Sequence, residues 1–117
     1  MRHNFRELIS WKISFELVKD VYLISGELPK DEKFGLKSQI QRSVVSIPSN
    51  ISEGSGRTTD KEFVYFLNVA VSSAYELETQ LLICGELFEV NVSELLVKLE
   101  NIQRLIGGLK KKLNNSI

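Results

Sequence analysis

The chain has little of the side-chain chemistry on which most enzymes depend. Its 117 residues include one cysteine, Cys84, and one histidine, His3. A single cysteine cannot form an internal disulfide. We expect His3, so near the start of the chain, to be frayed, which leaves no Ser–His or Cys–His pair for nucleophilic catalysis. Glu-x-x-His motifs of di-iron bundles are also absent. These absences predict a protein that is not an enzyme and holds no metal or cofactor.

Prolines and long apolar runs are also scarce. Pro29 and Pro48 are the only prolines, which leaves long segments open to helix formation. No stretch approaches the roughly 18 consecutive apolar residues of a membrane-spanning helix, and the first residues lack the apolar stretch of a signal peptide. We therefore expect a cytoplasmic protein without a membrane partner. Its length predicts a single domain over residues 1–117.

An excess of charge of either sign is missing as well. Lysine and arginine total 15, and aspartate and glutamate total 15, so the formal net charge is zero. This balance argues against a strongly cationic binder of nucleic acid. The charges are unevenly placed, however, because every charged residue between Lys61 and Lys98 is acidic.

Apolar residues recur three or four positions apart in four segments of the chain. This spacing predicts helices over residues 8–28, 34–53 and 60–88, and a fourth that is capped by Asn91 or Ser93 and continues to residue 113. No segment shows the alternation of a strand between hairpin turns. Four amphipathic helices with short connectors predict an all-α fold, an antiparallel up-down-up-down four-helix bundle.

Local signals refine these helices. Thr59 followed by Glu62 matches a capping box at the start of the third helix. Cys84 falls on the apolar stripe of that helix, which is typical of a small core residue. Pro48 lies inside the second helix, where it removes one backbone donor and crowds the Val44 carbonyl. Because the apolar spacing continues in phase past it, we predict a kink rather than a split.

Some apolar side chains fall outside the main stripes. The first helix has two apolar rows, one that includes Phe15 and Tyr22 and one that includes Leu17. The third helix adds further apolar positions, namely Val64, Val71, Tyr75 and Leu82. Two interpretations stay open. Either each helix contacts two neighbours within one bundle, or the surplus covers an interface between copies.

The second helix also contains an unusual run of short polar side chains. These are Ser43, Ser46, Ser49, Asn50, Ser52 and Glu53. Such groups compete for backbone hydrogen bonds. Either they satisfy the carbonyl that Pro48 frees, or they form an interface that a partner chain approaches closely. Glu76 and Glu78 cannot face the same way on a helix, which makes them a poor pair for acid–base catalysis. We expect one of them to form a structural ion pair with Arg42 instead.

The segment from Gln39 to Gly54, followed by Gly56-Arg57, resembles the motif of a known protein family. That family comprises the four-helix-bundle proteins encoded in intervening sequences of some bacterial 23S ribosomal RNA genes. The resemblance covers roughly residues 8–113. Flanking matches are Trp11, Tyr22, Phe34-Gly35-Leu36, Glu62-Phe63, Phe66-Leu67 and Glu76 to Leu81. The positions to which we assign a structural or interface role are Ser46, Pro48, Ser49, Asn50, Glu53, Gly54 and Glu78.

The resemblance implies a helical bundle that assembles into a homopentameric ring. The family resembles a related branch, the accessory protein of diversity-generating retroelements. That resemblance also implies a pentamer, one that binds nucleic acid and a reverse transcriptase. No catalytic residues are implied. We therefore expect a homopentamer whose partner is RNA or a ribonucleoprotein, with no small-molecule substrate.

Binding to nucleic acid requires clustered cations near phosphates. Most of the acidic third helix is therefore excluded as the binding surface. The candidate nucleic-acid-binding residues are Lys37, Arg42 and Arg57 around the second helix, and Arg104, Lys110, Lys111 and Lys112 near the end of the chain. The plain alternative for the lysine run is that it complements the helix dipole. Repetition around a ring would let weak patches act together.

Two functions are therefore compatible with the sequence. The first is a non-enzymatic oligomeric protein that binds RNA or a ribonucleoprotein through repeated basic residues. The alternative is a protein-interaction or scaffolding module without a nucleic-acid role, whose partner docks in the ring or on the acidic face of the third helix.

Overall fold

Four α-helices account for most of the chain. The computed structural model describes residues 3–32 and 34–117. The helices are α1 (Ile9–Ser25), α2 (Leu36–Ser55), α3 (Asp60–Phe88) and α4 (Ser93–Asn114), with 3-10 turns at Phe5–Glu7 and Lys30–Glu32. No strand occurs among these residues, so the predicted all-α fold with four helices is confirmed. None of the described helices is long and apolar enough to cross a membrane.

Two helix ends differ from the prediction. α1 ends at Ser25 rather than at residue 28, because Gly26 disfavours the helix and the Leu28 amide donates to the Ser25 carbonyl in a tight turn. At the start of α4, Asn91 Oδ1 accepts from the Ser93 amide, and the cap position itself is Val92. Neither of the two predicted residues is therefore the cap.

The predicted cap of α3 forms in part. Thr59 Oγ1 accepts from the Glu62 amide at 3.1 Å, as a capping box requires. The Glu62 carboxylate, however, accepts from the Thr59 hydroxyl rather than reaching back to the Thr59 amide. One of the two predicted bonds is therefore replaced by a bond between the two side chains.

Each helix contacts its two neighbours around the bundle, in the order α1, α2, α3, α4 and back to α1. Contacts between α2 and α3 pair residues in reverse order, from Ser43 with Gln80 to Gly54 with Phe63, as antiparallel neighbours do. Lys98 on α4 donates to Asp20 on α1 at 2.9 Å and joins the last helix to the first. The largest fully buried side chains include Leu17, Ile40, Ile47, Ile51, Phe63, Leu67, Leu77, Leu81, Leu99, Ile102 and Ile106.

Candidate interaction surfaces

An apolar groove runs along the outside of the bundle between α1 and α2. On α1 and the turn before it, the rings of Phe5, Trp11 and Phe15 follow one another, with centroids 5.1 Å and 4.9 Å apart in successive pairs. Phe15 is 45% exposed, whereas Leu17 from the other apolar row of this helix is buried. The first of the two predicted rows is therefore only partly covered within a single chain.

The other wall of this groove comes from α2. Val45, Pro48 and Ser49 line it, and the depression has a volume of about 330 Å³. α2 is continuous through Pro48, so the proline does not split the helix, and the kink stays a prediction. We call this depression the aromatic groove; its apolar lining is Phe5, Trp11, Phe15, Val18, Val45 and Pro48.

A second partly apolar surface lies where α3 meets α4. Tyr75 and Leu82 on α3 and Val97 on α4 are between about half and two-thirds exposed. Glu78 and Glu100 line the same depression. Because α1 contacts only α2 and α4 among the four helices, the α1–α2 side and the α3–α4 side of the bundle are opposite. We call the surface formed by Tyr75, Glu78, Leu82, Val97 and Glu100 the α3–α4 face.

Two further motif residues of α2, Ser46 and Asn50, form polar contacts on the side of the helix that faces α3. Ser46 Oγ lies 2.8 Å from Ser73 Oγ on α3, and the Asn50 side-chain amide donates to the Ser46 carbonyl and hydroxyl. Asn50 therefore satisfies the carbonyl of Ser46, not that of Val44 which Pro48 frees. This hydrogen bond does not compensate for the proline. It links Asn50 to the polar contact between Ser46 of α2 and Ser73 of α3.

Gly54 marks a close approach of α2 to α3. A Cβ atom at this position would lie 2.7 Å from Phe66 Cβ and 2.8 Å from Phe63 Cδ1, well inside normal carbon contact distance. Only a hydrogen fits between the helices here. The role of this motif position within one chain is therefore to let the two helices pack closely.

The predicted ion pair between Arg42 and a carboxylate of α3 does not form. Glu76 accepts from the Ser43 hydroxyl at 3.0 Å, and Glu78 accepts from Gln103 of α4 at 2.9 Å. The reason is geometric, because Arg42 is exposed on the outer side of α2 whereas its neighbour Ser43 faces α3. This prediction was wrong.

The candidate nucleic-acid-binding residues do not form one cluster. Lys37 lies in the first turn of α2, and Arg42 lies farther along the same helix. Arg104 is exposed on α4, where it donates to Asn101 at 2.8 Å. The remaining four, Arg57, Lys110, Lys111 and Lys112, lie at the opposite end of the bundle from Lys37.

Charge is separated along the 46 Å length of the bundle. We call the end where α2 and α4 finish and α3 begins the basic end. Its basic residues are Arg6, Arg57, Lys61, Lys110, Lys111 and Lys112, and its acidic residues are Glu7, Glu53, Asp60 and Glu62. The described charged residues of the opposite end are Glu27, Asp31, Glu32, Glu86, Glu89 and Glu94, with Lys30 and Lys37. The zero net charge therefore conceals a polarity of the folded chain.

Not every cation at the basic end is equally available. Arg57 Nη2 donates to Glu53 Oε1 at 2.6 Å, and its guanidinium carbon lies 4.6 Å from the centre of the Phe66 ring. Lys111 and Lys112, by contrast, are exposed in the last turn of α4. The two motif residues Glu53 and Arg57 thus largely neutralise each other, and the lysine run contributes most of the accessible positive charge.

The single histidine and the single cysteine of the chain both pack against other residues. His3 is not frayed, because its ring lies 3.2 Å from an Asp60 oxygen and packs on Phe63. Cys84 is buried in the core, as predicted, and this burial, with a smaller contribution from Glu32, raises the pKa of its thiol. Among the described residues, no group of three or more His, Cys, Asp or Glu side chains is placed to hold a metal ion.

Two lining residues escaped the sequence reasoning. Phe5 belongs to a 3-10 turn before α1, so helical spacing gives no signal for it. Val97 lies on the polar face of α4, between the buried Leu95 and Leu99. An apolar residue on a polar helix face is the sequence feature that could have indicated this surface. Both residues contribute apolar side chains to the two surfaces described above.

Comparisons with known proteins agree with this fold. A protein of unknown function from the S23 ribosomal protein family of Bacteroides thetaiotaomicron, whose crystal structure is known, is 24% identical. The similarity covers 93% of this chain and 98% of that chain, with a TM-score of 0.65, and shows a shared fold. No curated protein matches. The 23S rRNA-intervening sequence protein family matches residues 6–108. Because this match spans most of its length, the chain belongs to the 23S rRNA-intervening sequence protein family.

Proposed function

We propose that this chain is the subunit of a non-enzymatic homo-oligomer that binds RNA, alone or in a ribonucleoprotein, through its basic end. The family name links such proteins to ribosomal RNA genes. The sequence resemblance described above implies five copies in a ring. It also implies, through the retroelement branch, a nucleic-acid partner. In the ring, each subunit contributes one basic end to a common surface.

The observation that carries the proposal is the separation of charge along the bundle. Lys110, Lys111 and Lys112 lie at the same end as Arg57, whereas the opposite end is mainly acidic. RNA approaching the acidic end would be repelled, so the charge pattern orients the binding surface. A plain helix-dipole role explains basic residues in the last turn of α4. It does not explain the exposed Arg6 and Lys61 beside them.

One subunit offers few phosphate contacts, because part of its positive charge is paired. Arg57 is engaged by Glu53, which leaves chiefly the lysines. Symmetry compensates for this weakness, since linked sites act at a high effective concentration. We therefore expect weak binding by any single subunit and measurable binding by the assembly.

The test is the salt dependence of RNA binding. Fluorescence anisotropy with a labelled single-stranded RNA gives the dissociation constant at several salt concentrations for the wild type and for the triple variant K110A/K111A/K112A. Each phosphate contact contributes roughly −0.7 to the slope of log K against log salt for a single strand. The triple variant should therefore bind more weakly and show a shallower slope.

The control variant is K30A/K37A, which removes two lysines from the end of the bundle opposite the basic end. It should bind RNA as the wild type does, because Lys30 and Lys37 lie at the opposite end of the bundle from the proposed surface. Binding that does not respond to salt, or equal losses in both variants, would contradict the proposal.

A scaffolding role without nucleic acid is the second candidate. It is favoured by the exposed apolar side chains on the acidic outer surface of α3, including Tyr65, Ile83 and Leu87. A protein partner that persists after nuclease treatment and is lost on Leu87→Glu would support this role. RNA binding that maps to the basic end would instead support the first.

A further inference from the structure

We infer that the aromatic groove of one copy receives the α3–α4 face of a second copy in a head-to-tail contact. This inference rests on the proposed homo-oligomer and identifies the two surfaces that would form it. The occupant is the chain itself, because each surface supplies what the other lacks.

The placement of the two surfaces is the first argument. The aromatic groove opens between α1 and α2, and the α3–α4 face lies on the opposite side of the bundle. Two different surfaces on opposite sides generate a heterologous contact, in which every subunit uses its groove towards one neighbour and its face towards the other. Such a contact repeats from subunit to subunit and closes into a ring when the rotation permits.

Charge complementarity is the second argument. Lys19 lines the aromatic groove. The exposed Lys12 precedes the groove residue Phe15 by three positions, and the exposed Arg42 precedes Val45 by three. Lys19 is itself 3.4 Å from Glu16, so the groove is partly neutralised. The opposing depression contains two carboxylates, Glu78 and Glu100. Opposite charges at the edges of an apolar contact favour docking in one orientation.

The available area is the third argument. The bundle measures 46 × 22 × 19 Å on its Cα atoms, so one long side offers roughly 900 Å², against about 800 Å² per partner in a stable interface. Partly exposed apolar side chains contribute on both sides: Phe15 and Val45 in the groove, and Tyr75, Leu82 and Val97 on the face. Aromatic and aliphatic anchors of this kind dominate interface energetics.

The experiment uses one charged substitution on each surface. Val45→Glu places a carboxylate in the groove, and Val97→Glu places one on the α3–α4 face. Both valines are exposed in a single chain and glutamate is a good helix former, so each variant should fold with wild-type circular dichroism. The control is Leu23→Glu, which introduces the same charge at an exposed apolar position of α1 outside both surfaces.

Light scattering and native mass spectrometry report the assembly. We expect each of the two variants to associate at least roughly thirty-fold more weakly than the wild type, the scale of an interface hot spot. The Leu23→Glu control should assemble as the wild type does.

Mixing the two variants distinguishes a head-to-tail contact from a symmetric one. Val45→Glu chains keep an intact α3–α4 face, and Val97→Glu chains keep an intact groove. Together they should form one 1:1 complex that cannot grow, because the remaining groove and face both contain a glutamate. A symmetric groove-to-groove contact would instead leave the Val97→Glu chain associated by itself and the mixture unrestored.

The outcomes separate this inference from the proposed function. A wild-type chain that is monomeric at micromolar concentration overturns both the ring and the contact. A wild-type oligomer that survives Val45→Glu and Val97→Glu overturns the contact alone. RNA binding is measured separately and depends on the lysines of the basic end.

Discussion

Replacing Gly54 by alanine would place a methyl group between α2 and α3. The new carbon would lie 2.7 Å from Phe66 Cβ and 2.8 Å from Phe63 Cδ1. Phe66 Cβ is bonded directly to the backbone, so a change of rotamer cannot move it away. The two helices must separate, or Phe63 must leave its place in the core, where it is fully buried.

The expected magnitude combines two opposing effects. Overpacking in a core typically costs about 1–3 kcal/mol. Alanine within a helix gains about 0.8–1.0 kcal/mol over glycine. A methyl group at Gly107 of α4 would meet nothing within 4 Å beyond its own turn of helix, so Gly107→Ala should show the gain alone. The free energy of unfolding of Gly54→Ala should therefore be about 1–3 kcal/mol below that of Gly107→Ala.

The assay is urea and thermal unfolding followed by circular dichroism. For 117 residues, 1 kcal/mol corresponds to a change in Tm of roughly 4 °C. All variants are compared at one protein concentration, because assembly stabilises the folded chain by mass action. A Gly54→Ala variant as stable as Gly107→Ala would refute the dependence of the close approach of α2 and α3 on glycine.

Two further predictions concern single residues of α3 and its end. Burial raises the pKa of the Cys84 thiol, so less thiolate is present at about pH 8. Iodoacetamide should therefore alkylate Cys84 far more slowly in the native protein than in urea. Equal alkylation rates, measured by mass spectrometry, would contradict the burial of this side chain. Glu89 ends α3 with a φ of 55°, in the left-handed region that favours glycine. Glu89→Gly should therefore be more stable to urea than Glu89→Ala by about 1 kcal/mol, and an alanine variant of equal stability would rule out strain at this residue.

Much of the fold could be predicted because helix formation is largely local. Spacing of three and four residues identified all four helices, and it placed Cys84 on the apolar stripe of α3, where the structure buries it. Helix ends were harder to place, as at Ser25, where a tight turn before Pro29 competes with continuation of the helix. A contact across helices, such as the expected pair of Arg42 with a glutamate, depends on rotations that spacing alone does not define.

The candidate surfaces were only partly visible in the sequence. The motif from Ser46 to Gly54 could be recognised as one segment, but the structure divides it between two environments. Pro48 and Ser49 line the aromatic groove, whereas Ser46 contacts Ser73 of α3 and Asn50 donates to Ser46. Adjacent helical residues point about 100° apart, so a continuous motif serves two sides of its helix.

By itself, the sequence determined four amphipathic helices, a net charge of zero and a resemblance to one family. Only the tertiary structure decided where those charges lie and which apolar residues stay exposed. Packing the helices side by side brings the end of α4 next to the start of α3, so lysines 110–112 join Lys61 at one end. The physical reason is that amphipathicity is a property of one helix, whereas polarity of the whole bundle arises from the order in which helices pack.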